Sequence, residues 1–209
     1  MKQKSFFYVI LINLMSNFTV AQTNKDNINP KSNLYLGAEI GTNTITTFSN
    51  NEPSKSIQVG LVIEYYFTEQ WSVLGRVKNF ETGVSFANNN SFDKFEGAII
   101  SIPLNIKWEF RIYKNLKANL KIGGAYNFET KSNYYFSSNL ETNNSKTFVN
   151  FNPGFGFNYF LSEKTAIYFD IETYKFGGYK GNSQSQILSK NYYTENNLIN
   201  LGIKYTFKK

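Results

Sequence analysis

Cysteine and histidine are both absent from this 209-residue chain. Without cysteine there is no disulfide, no thiol nucleophile and no lipid-modified N-terminal cysteine. Without histidine, the usual general base of serine hydrolases and the commonest metal ligand are both missing. Long apolar runs are scarce: past the opening segment, no stretch approaches the roughly 20 consecutive apolar residues of a membrane-spanning helix. Acidic residues are outnumbered, 15 Asp and Glu against 22 Lys and Arg, for a formal net charge of +7. These cations are scattered and no recognition helix accompanies them, so no nucleic-acid partner is expected. Acidic glycans or lipid headgroups suit the charge as well.

What is present begins with an export signal. Lys2 and Lys4 precede the apolar run Phe6 to Leu14, and the small residues Thr19 and Ala21 sit two apart. This order reads as a signal peptide over residues 1–22, cleaved after Ala21 or Gln22. Residues 23–32 then form a short periplasmic segment, and residues 33–209 a single domain.

In that domain the dominant pattern is alternation with period two, repeated in about eight segments. The clearest runs from Ala98 to Phe110. Ile100, Ile102, Leu104, Ile106, Trp108 and Phe110 share one face, and Ser101, Asn105, Lys107 and Glu109 the other. The remaining segments centre on 34–41, 57–67, 71–80, 116–128, 149–159, 167–172 and 199–207. The third is weaker, because Leu74 falls on its polar side. Pro103 and Pro153 each remove a ladder donor from a strand interior, and a local bulge is expected at each. Short connections, Thr68-Glu69-Gln70, Arg111 to Asn115 and Leu161 to Lys164, alternate with long polar ones near 43–55, 82–97, 129–147 and 177–196. That rhythm, with both chain ends on the short-turn side, predicts an all-β fold: an eight-stranded antiparallel up-and-down transmembrane β-barrel.

Alternation alone leaves open a soluble, lipocalin-like periplasmic barrel that binds a ligand inside an apolar cavity. The polar face favours the membrane reading. It is rich in Gly, Ser and Asn, mixed with charges of both signs that include Lys117 and Lys204. The interior of an eight-stranded barrel is only wide enough for side chains to fill. A lumenal charge network of Glu39, Glu64, Arg76, Lys78, Lys107, Glu109, Lys121, Asp170 and Glu172 is therefore expected, with Asp170 and Glu172 paired to Arg76, Lys78 or Lys121. The apolar face carries no charge at the strand centres. Its aromatics Tyr65, Phe67, Trp71, Trp108, Phe110, Tyr159, Tyr205 and Phe207 crowd toward the short turns, as an interfacial girdle would.

The terminal run Asn200-Leu201-Gly202-Ile203-Lys204-Tyr205-Thr206-Phe207 resembles the β-signal of outer-membrane barrels. By that resemblance Asn200, Gly202, Tyr205 and Phe207 are read by the barrel-assembly machinery, although Lys208 and Lys209 follow the final aromatic. The Ile102-Pro103-Leu104 strand and the turn Phe67-Thr68-Glu69-Gln70-Trp71-Ser72 resemble the outer-membrane β-barrel domain family that includes PorT-like proteins of Gram-negative bacteria. The likeness spans roughly residues 33–207 and implies a barrel of OmpA or OmpX size in the bacterial outer membrane.

No catalytic residue, metal ligand or cofactor site is assigned. Asp170 and Glu172 could be imagined as an acid/base pair or a hard-cation site, but a lumenal ion pair is the plainer reading. Gly177-Gly178 and Gly181 shape the last long loop. Asn-rich runs such as Phe86-Ala87-Asn88-Asn89-Asn90 and the pairs Tyr134-Tyr135 and Tyr192-Tyr193 suit contact with a surface protein or a glycan. The expected function is a small non-enzymatic barrel, surrounded by outer-membrane lipid, whose external loops meet a partner. The alternative by resemblance is an accessory barrel in protein secretion or transport.

Overall fold

A computed structural model describes residues 28–47, 54–88, 91–135, 140–142, 147–175 and 194–207. The expected signal peptide, the start of the 23–32 segment, Asn89-Asn90, Gly177-Gly178, Gly181 and Tyr192-Tyr193 lie outside them. Ten strands are assigned: β1 Leu34–Thr47, β2 Ser54–Tyr66, β3 Trp71–Asn88, β4 Ser91–Tyr113, β5 Leu116–Tyr135, β6 Leu140–Thr142, β7 Thr147–Phe151, β8 Gly154–Phe160, β9 Thr165–Tyr174 and β10 Thr194–Thr206. Strands β6, β7 and β8 all pair with β5 and are successive pieces of one wall position. Every neighbouring pair is antiparallel. The path runs β4-β3-β2-β1-β10-β9-β8-β5, and the β4–β5 pairing closes it into an eight-stranded barrel.

The pleat dictates which side chains go where, because successive residues point to opposite faces. The apolar set faces outward: Leu36, Ile40, Leu61, Ile63, Leu104, Ile106, Leu120, Ile122, Leu201 and Ile203 are all exposed. Their chain neighbours Glu39, Glu64, Asn105, Lys107, Asn119, Lys121, Asn200 and Lys204 are buried. A soluble barrel would invert this pattern, so the lipocalin-like alternative is excluded. Leu74 points inward, as its position in the alternation requires, and it packs with Val62 and Tyr168 inside the lumen.

Two expectations are corrected. Neither proline introduces a bulge. Around Pro103 the β3–β4 pairing lapses at Arg76 and Val77, but the pairs Gly75↔Leu104 and Lys78↔Ser101 on either side belong to one register. The register shifts of the β4–β5 pairing lie elsewhere, between Ala98 and Ile99, opposite Thr130, and between Arg111 and Tyr113. At Pro153 the strand is interrupted between β7 and β8, yet both pieces keep the same register against β5. Asn152 supplies the substitute donor. Thr173 N–H donates to the Pro153 carbonyl at 3.1 Å, so the absent proline N–H would have served the Thr173 carbonyl. The Asn152 side-chain amide donates to that carbonyl at 3.2 Å.

The second correction concerns the long connections near 82–97 and 129–147, which are not simply loops. Strands β3 and β4 continue as a paired hairpin to Asn88 and Ser91, and β5 continues to Tyr135, where Tyr134 and Tyr135 pair with Glu141 and Leu140 of β6. At roughly 3.3 Å per residue, the 23 residues of β4 measure about 75 Å. Tilted by about 45°, such a strand rises well beyond a hydrocarbon layer of about 30 Å. Strand β2 pairs with β3 only up to Gln58↔Phe80, so the hairpin stands free of that neighbour above the rim.

Candidate functional site

With no open cleft between domains, the chemistry-bearing side chains converge in one place, the lumen. Among the described residues, twelve charged ones are buried there, six cations (Arg76, Lys78, Lys107, Lys117, Lys121, Lys204) and six anions (Glu39, Glu64, Glu109, Glu129, Asp170, Glu172). The buried set is therefore neutral, and the chain's excess positive charge falls outside it.

Eleven of these charges, all but Glu129, form two groups. In the first, Arg76 of β3 reaches across the barrel to β9, contacting Asp170 directly and Glu172 at 2.7 Å, and its Nε lies 3.6 Å from Glu39 of β1. Lys78 bridges Glu39 at 2.6 Å and also meets Glu172. Lys121 of β5 contacts Asp170 at 2.8 Å and Glu172 at 3.2 Å. In the second group, nearer the short turns, Lys107 of β4 pairs with Glu64 and sits 2.7 Å from Glu109, while Lys204 of β10 sits 2.7 Å from Glu64. The Lys117 ammonium lies 3.8 Å from Glu109. Each of these five carboxylates thus faces at least two cations. That is the condition under which burying it in a low-dielectric interior is tolerable.

Neutral polar groups add hydrogen bonds to these carboxylates. Tyr66 donates to Glu109 at 2.7 Å and Ser72 to Glu64 at 2.6 Å. Asn158 donates to Glu109, and Asn119 to Asp170 at 3.3 Å. Asn200 donates to Glu172 at 3.2 Å and accepts from Gln58 at 2.5 Å. Lys204 lies within about 6 Å of four aromatic rings, those of Tyr35, Tyr66, Phe160 and Tyr168, which cage its charge.

Apolar clusters close the charged layer at both ends. Toward the long connections lie Phe80, Ile99, Ala125, Tyr174 and Leu198. Toward the short turns lie Tyr35, Tyr66, Phe160 and Ala166, with Ile28 packed against them. The segment ahead of β1 is held over that mouth, since Ser32 N–H donates to the Tyr66 carbonyl at 2.7 Å and Asn29 to Glu69 at 2.5 Å. Among the described residues no group of three or more His, Cys, Asp or Glu is arranged to hold a metal.

All nine residues of the expected charge network lie in this layer. Lys204, Lys117, Tyr66 and Tyr168 join it as well. Lys204 carried a sequence signal, being the one charge on the inward register of the last strand, but nothing local announced that Tyr66 would donate to Glu109 and Tyr168 to Glu39. The four β-signal positions divide by face. Asn200 and Gly202 point inward, whereas Tyr205 and Phe207 are exposed, with ring centroids 5.1 Å apart. Around the same rim Trp71 stands opposite Trp108 at 6.4 Å, and Phe110 follows at 5.0 Å.

Residues 11–207 match the family described as "Outer membrane protein beta-barrel domain". The chain belongs to this family. It is thus an outer-membrane β-barrel, its short turns on the periplasmic side and its long connections outside. No curated protein matches the sequence. Among solved structures, it is similar to Ail, the attachment invasion locus protein of Yersinia pestis, with 14% identity, TM-score 0.56, and coverage of 85% of this chain and 99% of Ail. Ail has also been seen in complex with the heparin analogue sucrose octasulfate. Neisserial surface protein A is similar at 12% identity and TM-score 0.54, covering 83% of this chain and 97% of that one. The outer membrane protein OprG of Pseudomonas aeruginosa is similar at 13% identity and TM-score 0.52, covering 86% and 98%. At such identities the likeness is one of fold.

Proposed function

We propose that this barrel is a non-enzymatic surface-interaction protein: its membrane wall anchors it, and its external hairpins meet a partner outside the cell. The observation that carries the reading is the β3–β4 hairpin, paired out to Asn88↔Ser91 far beyond the outward apolar band. A barrel that served only to span the membrane would have no need of it. The filled lumen supports the same reading, because Asp170 and Glu172, the only carboxylates whose spacing suggested acid/base work, are buried among Arg76 and Lys121.

An acidic glycan is the partner class that fits best. Outside the lumen, the long connections 82–97, 129–147 and 175–196 carry Lys94, Lys131, Lys146, Lys175, Lys180 and Lys190 against Asp93, Glu96, Glu141 and Glu195, a small cationic excess that can attract polyanions. The complex of Ail with a heparin analogue supports the same partner class. Cells displaying the full chain should bind heparin-coated beads and leave neutral dextran beads unbound, with binding that weakens as salt is raised. Replacing residues 85–94 by an Asn-Gly turn, the connection a two-residue hairpin prefers, should leave the folded barrel in the membrane and reduce capture several-fold. Full capture by the shortened hairpin would reject this surface as the contact. The alternative by resemblance, an accessory role in secretion or transport, draws less support from a lumen filled by paired charges between two apolar clusters.

A further inference from the structure

Seven of the eight wall contacts join strands that follow one another in chain order around the wall, whereas the contact of β1 with β10 joins the first strand to the last. Bringing those two together carries the largest loop-closure cost in the molecule. The registers place Lys78, Gly60, Glu39, Gly202 and Tyr168 in a single row across β3, β2, β1, β10 and β9. Long side chains alternate along that row with residues that have none. Lys78 crosses Gly60 to reach one Glu39 oxygen at 2.6 Å. The Tyr168 hydroxyl crosses Gly202 from the other direction and donates to the second oxygen at 2.9 Å. A Cβ on Gly202 would lie 2.3 Å from the Tyr168 ring, and one on Gly60 would lie 3.1 Å from Glu39.

We propose that this row is the latch of the barrel: Glu39, gripped from both sides, fastens the first strand to the last through the lumen. Gly202 and Gly60 are positioning residues that leave the path clear. Gly202 therefore has a role in the finished wall, separate from any reading of the terminal strand during assembly. Two further contacts cross the same seam on either side of the row. Gln58 of β2 donates to Asn200 of β10 at 2.5 Å, and Lys204 of β10 pairs with Glu64 of β2 at 2.7 Å.

A latch differs from general packing in where its loss is felt. Amide hydrogen exchange, read by mass spectrometry on the full chain folded in dodecylphosphocholine micelles, resolves local opening by strand. Tyr168→Phe keeps the ring and removes one hydroxyl-to-carboxylate bond. It should speed exchange about 10-fold in residues 36–42 and 199–205 and leave β4 and β5 nearly unchanged. Asn158→Ala is the control, since it removes a hydrogen bond to a lumenal carboxylate, that of Glu109, between β8 and β4 and away from the seam. It should not open the seam selectively. For Gly202→Ala, the defect should shrink when Tyr168→Ala is added, because the clash is with that ring. Acceleration shared equally by all strand pairs in Tyr168→Phe, or none at the seam, overturns the latch. A Gly202→Ala defect undiminished by Tyr168→Ala overturns the role given to Gly202.

Discussion

Leu104 and Asn105 are neighbours in the chain and occupy different solvents, the first 61% exposed on the outer wall and the second 1% exposed in the lumen. Leu104 lies near the middle of the outward row from Ile100 to Phe110, away from the aromatic rim. Leu104→Lys should therefore cost roughly 2–4 kcal/mol, read as a lower urea midpoint for the barrel in lipid vesicles. An unchanged midpoint would mean that this face does not meet acyl chains. Inside, Arg76 touches Glu39, Asp170 and Glu172. Arg76→Met leaves those carboxylates short of a cation at their centre and should cost about 3–5 kcal/mol. Arg76→Lys should cost less, because it keeps the charge and loses only the forked geometry. Equal losses from the two variants would argue that shape, rather than charge, is what Arg76 contributes.

At the scale of the strand, the two prolines show how a ladder survives a missing donor. Asn152 stands beside Pro153 and offers its side-chain amide to the Thr173 carbonyl. It is itself held by Asn105, which donates to its backbone carbonyl at 2.7 Å. In a membrane wall no water is available to satisfy that carbonyl. Asn152→Ala should thus destabilise the barrel by about 1–3 kcal/mol. The loss should fall clearly when Pro153→Ala restores the backbone N–H, a coupling that a double-mutant cycle of denaturant midpoints would measure. Additive effects would show that Asn152 acts elsewhere. The other lesson at this scale concerns the outer hairpins. Residues 82–97 look like a polar connection because their alternation is weak, yet cross-strand pairing carries β3 and β4 on to Asn88 and Ser91. Strand propensity depends on neighbours more than on the segment itself.

At the scale of the molecule, the lumen is three layers deep: an apolar cap under the external connections, an ionic layer that also holds Val62, Leu74 and Tyr168, and an apolar cap at the periplasmic mouth reinforced by Ile28. Ion passage would require parting paired charges that are buried on all sides. In planar-bilayer recordings the full chain should show no long-lived openings of porin size. Large, stable conductance would show that the layers part readily, and it would favour a transport role over the surface role proposed here.

The eight-segment rhythm and the inward or outward sense of the strand side chains were legible in the sequence. They follow from the period-two pleat, which is a property of neighbouring residues in the chain. The partner of each charge was not legible in the same way. Arg76 meets residues 94 and 96 positions away, and Tyr168 reaches Glu39 across Gly202, because closing the sheet fixes one stagger among all the strands. The same closure put Asn152 next to an orphaned carbonyl and let Leu74 serve as lumenal filling rather than a flaw in its strand. Local periodicity decides which face a residue takes, and only the closed barrel decides what it meets there.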